Sequence, residues 1–274
     1  MLTAICRPPA LSVILPAYNE ATRLPPTLDA SLAYLADLAQ GREWELIVVD
    51  DGSTDGTSDA VRQRGLGGGL RLLRATRNGG KGAALRAGAA AAAGERLLLM
   101  DADGATPLSA LPPLERALEE KHCDVAVGSR TAVLRQRPPH RRLMGAVFAA
   151  LASSCVRELD DTQCGFKLLT RRAAERTLPH LHVTGWAYDV ELLYLAQALG
   201  LGVTSAPVPW ADVAGSKVRP ETPAQMALDV ARVRLLYGTG VWRLPDVGAD
   251  GPASTQTGPG LVDDGGPEYV EVVS

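Results

Sequence analysis

Apolar positions along the chain fall into two alternating rhythms. Short, β-rich runs occur at "LSVILP" (11 to 16), "WELIVVDD" (44 to 51), "LRLLRAT" (70 to 76), "RLLLMDAD" (96 to 103) and "DVAVGSR" (124 to 130). Between them lie Ala- and Leu-rich stretches with helical spacing, such as Leu28, Leu32, Leu35 and Leu38. Strand, helix, strand, repeated, predicts an α/β fold with a mostly parallel central sheet flanked by helices on both faces. The second half is less regular: 141 to 159 reads as a helix, "GFKLLTR" (165 to 171) as a strand, and 186 to 200 as a helix buried on most sides. From Pro245 onward Gly, Pro, Ser, Asp and Thr dominate without periodicity, which predicts a disordered tail in which "YVEVV" is at best a short strand.

Polar residues gather where the predicted strands end. The runs lead into "PAYNE", "DDGSTDGT", "DADGAT" and "GSR", and in open α/β sheets ligands collect at the carboxyl ends of strands. The apolar run Leu97 to Met100 stops at Asp101 and Asp103. A buried carboxylate without a partner costs several kcal/mol, about the worth of a large core side chain, so a cation is expected there.

Charge sharpens this picture. The formal net charge of -3 conceals six acidic residues and no Lys or Arg after Leu244, so the remainder carries a slight positive excess that favours anionic partners. No basic stripe interleaved with aromatics is present, which argues against nucleic acid. The four cysteines, Cys6, Cys123, Cys155 and Cys164, are widely spaced and lack the pairing of a zinc site, consistent with a reduced cytosolic setting. The N-terminal stretch "MLTAICRPPALSVILP" has neither the flanks of a secretory signal nor the length of a membrane anchor.

Each motif has an ordinary structural reading beside a chemical one. "GLGGGL" (65 to 70) precedes a strand instead of following one, so it reads as a loop and not as a dinucleotide fingerprint. "NGGKGAAL" (78 to 85) lacks the Ser or Thr of a phosphate loop, yet a glycine turn opening a helix would aim Lys81 at an anion. Ser53 to Thr57 of "DDGSTDGT" suit a helix cap; two adjacent Asp at a strand end fit the recognition of a base or ribose better. In "DADGAT" a plain turn competes with a divalent cation, since Mg²⁺ takes one or two carboxylates together with substrate phosphates.

Taken together, "SVILPAYNE", "ELIVVDDGSTDGT", "RNGGKGAALRAG", "LLLMDADGAT", "VGSR", "DTQCGFKLLTRRAA", "WAYDVELLYLA" and "GSK" resemble, in order and spacing, the family 2 glycosyltransferases of the GT-A fold. More narrowly they resemble the dolichyl-phosphate β-glucosyltransferases, with the mannose synthases as cousins. The resemblance spans residues 10 to 244. It implies one GT-A catalytic domain with a nucleotide-sugar half (10 to 130) and an acceptor half facing a membrane (131 to 244), followed by the acidic tail (245 to 274).

The resemblance also implies roles. Pro16, Tyr18, Glu20 and Asp50 or Asp51 would hold the nucleoside of UDP-glucose, with Lys81 nearby. Asp101 and Asp103 would hold Mg²⁺ or Mn²⁺ against the diphosphate, although Ala105 stands where mannose synthases carry a metal-shell Gln. Arg130, Lys167 and Lys217 match basic positions near phosphates, Asp161 would position sugar or acceptor, and Glu191 falls where hydroxyl-directed relatives keep a base. The acceptor implied is dolichyl or another polyprenyl phosphate, at the cytosolic face of the endoplasmic reticulum membrane in a eukaryote or of the inner membrane in a bacterium. An apolar stretch within 141 to 158, preceded by Arg130, Arg135, Arg137, Arg141 and Arg142, suits interfacial docking, as does 226 to 242. The rival readings are a GDP-mannose enzyme, a soluble transferase with a hydroxyl acceptor and a base at Glu191 or Asp189, and a nucleotide-sugar binding protein without turnover.

Overall fold

The computed structural model describes residues 8–38, 43–131, 150–159, 161–213, 222–245 and 266–273. Its elements are β1 (Leu11–Ala17), α1 (Leu24–Leu38), β2 (Trp44–Asp50), α2 (Thr57–Arg62), β3 (Leu70–Ala75), α3 (Lys81–Ala91), β4 (Arg96–Leu99), α4 (Leu111–Glu120) and β5 (Val125–Ser129). They are followed by β6 (Lys167–Thr170), α5 (Arg171–Thr177), α6 (Tyr188–Ala198), β7 (Val203–Pro207), α7 (Thr222–Gly238) and β8 (Tyr269–Val272).

One eight-stranded sheet runs in the order β7-β5-β6-β4-β1-β2-β3-β8. The pairs β1–β2, β1–β4, β2–β3 and β5–β7 are parallel, whereas β6 is antiparallel to both β4 and β5. Parallel strands covered on both faces need continuous apolar sequence, and Leu46 to Val49 and Leu97 to Leu99 are fully buried accordingly. The strand order reverses direction about β1, so the loops after β1, β2 and β4 open side by side. Helix α3 lies on β1 and β2, and α4 packs against β5 and β7.

Strand β4 ends at Leu99, since only Arg96 to Leu99 have partners in both β1 and β6, and Asp101 and Asp103 stand on the loop just beyond it, as the end of the apolar run predicts. Within the tail, "YVEVV" does form the short strand that the sequence allowed: at Tyr269–Val272 β8 pairs antiparallel with β3, Leu72 opposite Val272 and Ala75 opposite Tyr269. An open edge of backbone donors and acceptors accepts any short extended segment that reaches it, so the lack of periodicity in the tail did not exclude a strand. Of the predicted 141 to 159 helix, 141 to 149 lie outside the described residues, 150 to 153 are helical, and 154 to 159 are turn and irregular chain, where the predicted helix is corrected.

Gly88 sets how closely α3 approaches the sheet. A Cβ there would lie 2.5 Å from Ile14 Cγ2 and 3.0 Å from Val49 Cγ2. Helix propensity favours Ala over Gly by about 1 kcal/mol, but overpacking against two fully buried strands costs about 1–3 kcal/mol. Gly88→Ala is therefore expected to lower stability, by about 1 kcal/mol net; chemical denaturation that gave a gain would show that α3 can shift outward.

Candidate active site

The loops after β1 and β2 are tied to one another by their own short polar side chains. Asn19, in the left-handed region at φ 53°, donates its N–H to Ser53 Oγ at 2.9 Å and accepts from the Thr54 N–H at 2.9 Å. The Glu20 and Ala21 N–H groups donate to Thr57 Oγ1 and Asp55 Oδ2 at 2.8 and 3.1 Å. Ser53, Asp55 and Thr57 thus lock two loops together, whereas the N-cap of α2 is Gly56 with no side-chain cap, so the predicted capping role is corrected.

Asp50 and Asp51, expected at the nucleoside, are both occupied. Asp50 is fully buried and accepts from the Ser53 N–H at 2.8 Å and from Ser58 Oγ. Asp51 turns toward the start of α3 and accepts from Gly79 N–H (2.9 Å), Gly80 N–H (2.8 Å), Asn78 Nδ2 (2.9 Å) and the Tyr269 hydroxyl (2.7 Å). Burial pushes the Asp51 carboxyl above the usual range in spite of these donors. Tyr18 is exposed and Pro16 partly so, whereas Glu20 is buried and bonded to Arg23.

The charged centre lies one loop further on. Lys81, the first residue of α3, reaches Asp101 Oδ1 at 2.5 Å, with the Trp186 and Tyr188 rings centred 5.5 and 5.4 Å from its ammonium. Burial alone would lower the Lys81 pKa, but Asp101, Asp189 and Asp103 raise it above its ordinary value. Burial likewise opposes ionisation of Asp101, and Lys81, Lys167 and Arg130 together hold its carboxyl below the ordinary value. Asp103 accepts from the Ala105 N–H at 3.1 Å and sits 3.4 Å from Arg23 Nη1.

Two more cations come from the end of β5 and the start of β6. Arg130 follows β5 and is clamped by Asp161, which accepts from its backbone N–H (3.0 Å), Nε (2.8 Å) and Nη2 (2.9 Å). Lys167 is fully buried, paired with Asp189 and donating to the Cys164 carbonyl at 2.5 Å. The backbone between them presses on Asp101: a Cβ at Gly165 would lie 2.5 Å from Asp101 Cγ.

Asp101, Asp103, Arg130, Asp161, Lys167 and Lys81 are thereby brought together, and Lys217 lies outside the described residues. Glu191 departs from its expected role as a base. It is fully buried, its carboxylate accepting from the His182 and Val183 N–H groups and from the Tyr237 hydroxyl, with His182 Nδ1 at 3.0 Å. A carboxylate enclosed by that many donors braces α6 and α7 and has no face left for an incoming hydroxyl. Asp189 is likewise committed, to Lys167. Arg23 was not singled out in the sequence, although its i,i+3 spacing from Glu20 is a usable signal. Trp186 and Tyr188 stand in the quoted "WAYDVELLYLA" stretch but have no role assigned there, and Trp210, whose ring lies 5.8 Å from the Arg130 guanidinium, belongs to none of the quoted motifs.

The centre matches the needs of a divalent ion on two counts. Two carboxylates one residue apart stand partly exposed on the loop after β4, and the absence of a Cβ at Gly165 is what lets the Asp101 carboxylate lie where it does. Among the described residues no cluster of three or more acidic, His or Cys side chains forms a complete protein cage. The donor set therefore fits an ion shared with phosphate oxygens, the usual habit of Mg²⁺.

Comparison with known proteins agrees with this reading. The model for "Glycosyl transferase family 2" matches residues 12–194. A "Dolichyl-phosphate beta-glucosyltransferase" of Mus musculus is 41% identical over 252 residues, covering 85% of this chain and 78% of that protein. A protein of the same name from Saccharomyces cerevisiae is 34% identical over 256 residues, covering 85% and 76%. Among solved structures, glucosyl-3-phosphoglycerate synthase from Mycobacterium tuberculosis in complex with uridine diphosphate superposes with a TM-score of 0.60 at 23% identity, covering 87% and 82%. The same enzyme with Mn²⁺, UDP-glucose and phosphoglyceric acid gives 0.59 at 22%, covering 87% and 81%. At that identity the likeness establishes the fold.

The Arg130–Asp161 pair gives a stability test. Burial raises the Asp161 pKa, but the Arg130 bonds outweigh it, so the folded-state value lies below the ordinary one. Its contribution is present above the unfolded carboxyl pKa of about 3.9 and is lost as pH falls below that point. Asp161→Asn leaves Arg130 without its counter-charge and is expected to cost about 3 kcal/mol at pH 7. Urea unfolding should find that gap shrinking below about pH 4, and Arg130→Met in the same chain should recover part of the loss.

Proposed function

The chain belongs to glycosyltransferase family 2, and from that premise we propose that it transfers glucose from UDP-glucose to dolichyl or another polyprenyl phosphate with inversion at the anomeric carbon. The observation that carries this is the convergence of Lys81, Arg130 and Lys167 on the loop of Asp101 and Asp103, at the strand ends where a diphosphate would lie. The curated relatives' names support glucose and a lipid phosphate acceptor.

The residues divide the work. A lipid phosphate is already ionised near neutral pH, so attack on the anomeric carbon needs no strong base, in keeping with the enclosure of Glu191. Direct attack opposite the leaving nucleotide converts an α-linked donor into a β-linked product. The transition state then calls for cations fixed before negative charge develops on the departing diphosphate. Lys81 is fixed by Asp101, and Arg130 by Asp161, so neither has to reorganise as the bond breaks. Asp101 and Asp103 would hold Mg²⁺ or Mn²⁺, which when bound would neutralise charge on the leaving diphosphate.

The lipid acceptor places the enzyme at the surface of the membrane that carries it. Among the described residues no helix is long and apolar enough to cross a membrane. Large apolar side chains on and near α7 are nonetheless exposed: Leu228 by 58%, Leu235 by 62% and Val241 by 67%. Beside them lies an open, mostly apolar depression lined by Leu151, Tyr194, Val230, Leu235 and Arg234, a surface against which isoprenoid units could lie. Exposed apolar side chains with interspersed Arg are the pattern of an interfacial helix. The 141–149 part of the other expected docking stretch lies outside the described residues.

The pure protein incubated with dolichyl phosphate, Mn²⁺ and labelled UDP-glucose, GDP-mannose and other nucleotide sugars should form a β-linked glucosyl lipid from UDP-glucose. Undiminished product with Asp103→Ala would defeat the metal assignment, and an α-linked product would defeat inversion. For the surface, Leu228→Asp with Leu235→Asp should cut sedimentation with anionic vesicles at least fivefold, while turnover of detergent-dispersed acceptor changes less; unchanged sedimentation would leave α7 off the membrane.

A further inference from the structure

Asp51 has a buried carboxylate with room for about four hydrogen bonds, and four donors are in place. Three of them, Asn78 Nδ2 and the Gly79 and Gly80 N–H groups, belong to the turn that Asp51 holds. The fourth is the Tyr269 hydroxyl at 2.7 Å, from a strand 218 residues further along the chain.

Several independent contacts bring β8 to this place. Thr76 N–H donates to the Glu268 carbonyl at 3.2 Å, continuing the β3–β8 ladder toward the turn. Pro267 lies against Gly79, where a Cβ would approach its Cδ to 2.8 Å. At the other end of the strand, Glu271 takes Arg71 Nε and Nη2 at 2.7 and 3.1 Å, and Arg71 also holds Glu45 at 2.7 Å. Burial and the neighbouring Asp51 carboxylate both push the Tyr269 phenol above its ordinary value, so the hydroxyl keeps its proton over the working range.

We propose that Tyr269 is a positioning residue of the donor site: from β8 its hydroxyl completes the shell of Asp51 and thereby fixes the Asn78–Gly80 turn, with Lys81 directly behind it, for the nucleotide end of the donor. The chain of contact is short. Tyr269 meets Asp51, Asp51 meets the Gly79 and Gly80 N–H groups, and the next residue is the Lys81 that pairs with Asp101. Without the hydroxyl, a buried carboxylate oxygen loses a donor that water reaches poorly, and the turn loses part of what defines it. This inference rests on the reading of the donor as a nucleotide sugar bound at the strand ends.

The test compares the full chain with Tyr269→Phe and with Glu271→Gln, which weakens the outer hold on β8 without touching the hydroxyl. UDP binding is measured by calorimetry, donor KM and kcat by turnover, and amide exchange at residues 78 to 81 by mass spectrometry. Tyr269→Phe is expected to weaken UDP binding and raise donor KM by roughly five- to tenfold, with kcat within about twofold and faster exchange confined to the turn. Glu271→Gln should move these quantities less. Unchanged exchange at 78 to 81 in Tyr269→Phe would overturn the proposal, as would tighter UDP binding, which would make the hydroxyl a competitor of the donor. A wild-type chain that ignores UDP would defeat the nucleotide reading alone, since the exchange measurement still decides the contact.

Discussion

The Lys81–Asp101 ion pair is the contact on which the arrangement of the strand ends depends. It joins the first turn of α3 to the loop after β4, two segments that reach each other only because β1 lies between β2 and β4 in the sheet. The Asp101 carboxylate lies against the backbone of Gly165, and Lys81, Lys167 and Arg130 hold it below its ordinary value against the effect of burial. The cations around it keep it ionised and therefore able to share an ion with a phosphate. Acidic loop and basic neighbours thus form one electrostatic unit, most of it pre-assembled by partners within the chain.

Around that unit two regions are built differently. The loops after β1 and β2 are fixed by short polar side chains bonding to backbone, as Asn19, Ser53, Asp55 and Thr57 do, which sets main-chain shape closely. Around β5 and β6 the fixing elements are buried ion pairs, Arg130 with Asp161 and Lys167 with Asp189. Beyond these lies the cluster in which Glu191 gathers His182, Val183 and Tyr237, with His182 stacked on Trp242 at 4.2 Å. That cluster links α7 to segment 182–184, and the Thr184 carbonyl in turn receives the Gly82 N–H of α3. A disturbance at α7 has a packed route toward Lys81.

Much of this was legible in the sequence, for reasons that can be named. Strands β1 to β6 announced themselves because sheets buried on both faces demand apolar runs, and the polar motifs stood at their ends because that is where a parallel sheet opens. The gathering of Asp101, Asp103, Arg130, Asp161 and Lys167 was implied by the resemblance to family 2 glycosyltransferases. What stayed hidden depended on which partner a side chain finds in space. Glu191 sits where a base would, yet donors from two other elements enclose it. Asp51 reads as a ligand for a nucleoside, yet its lone pairs are filled from a turn and from a distant strand. Strand β7 and strand β8 have little periodicity of their own; each exists because a neighbouring strand presents an unpaired edge.

The placement of β8 also has a bearing on how the chain is made. Arg71 and Glu271 are 200 residues apart, so the edge of β3 is synthesised long before the segment that covers it. During that interval a row of backbone donors and acceptors flanked by Leu70, Leu72 and Leu73 is open to any other strand, the condition in which nascent sheets pair wrongly or associate with one another. The charges of Arg71 and Arg74 on that same edge discourage a second copy of β3 from adding to it, while Arg71 attracts the acidic segment that arrives late. The ion pair that closes the finished sheet is thus also a guard on the unfinished one.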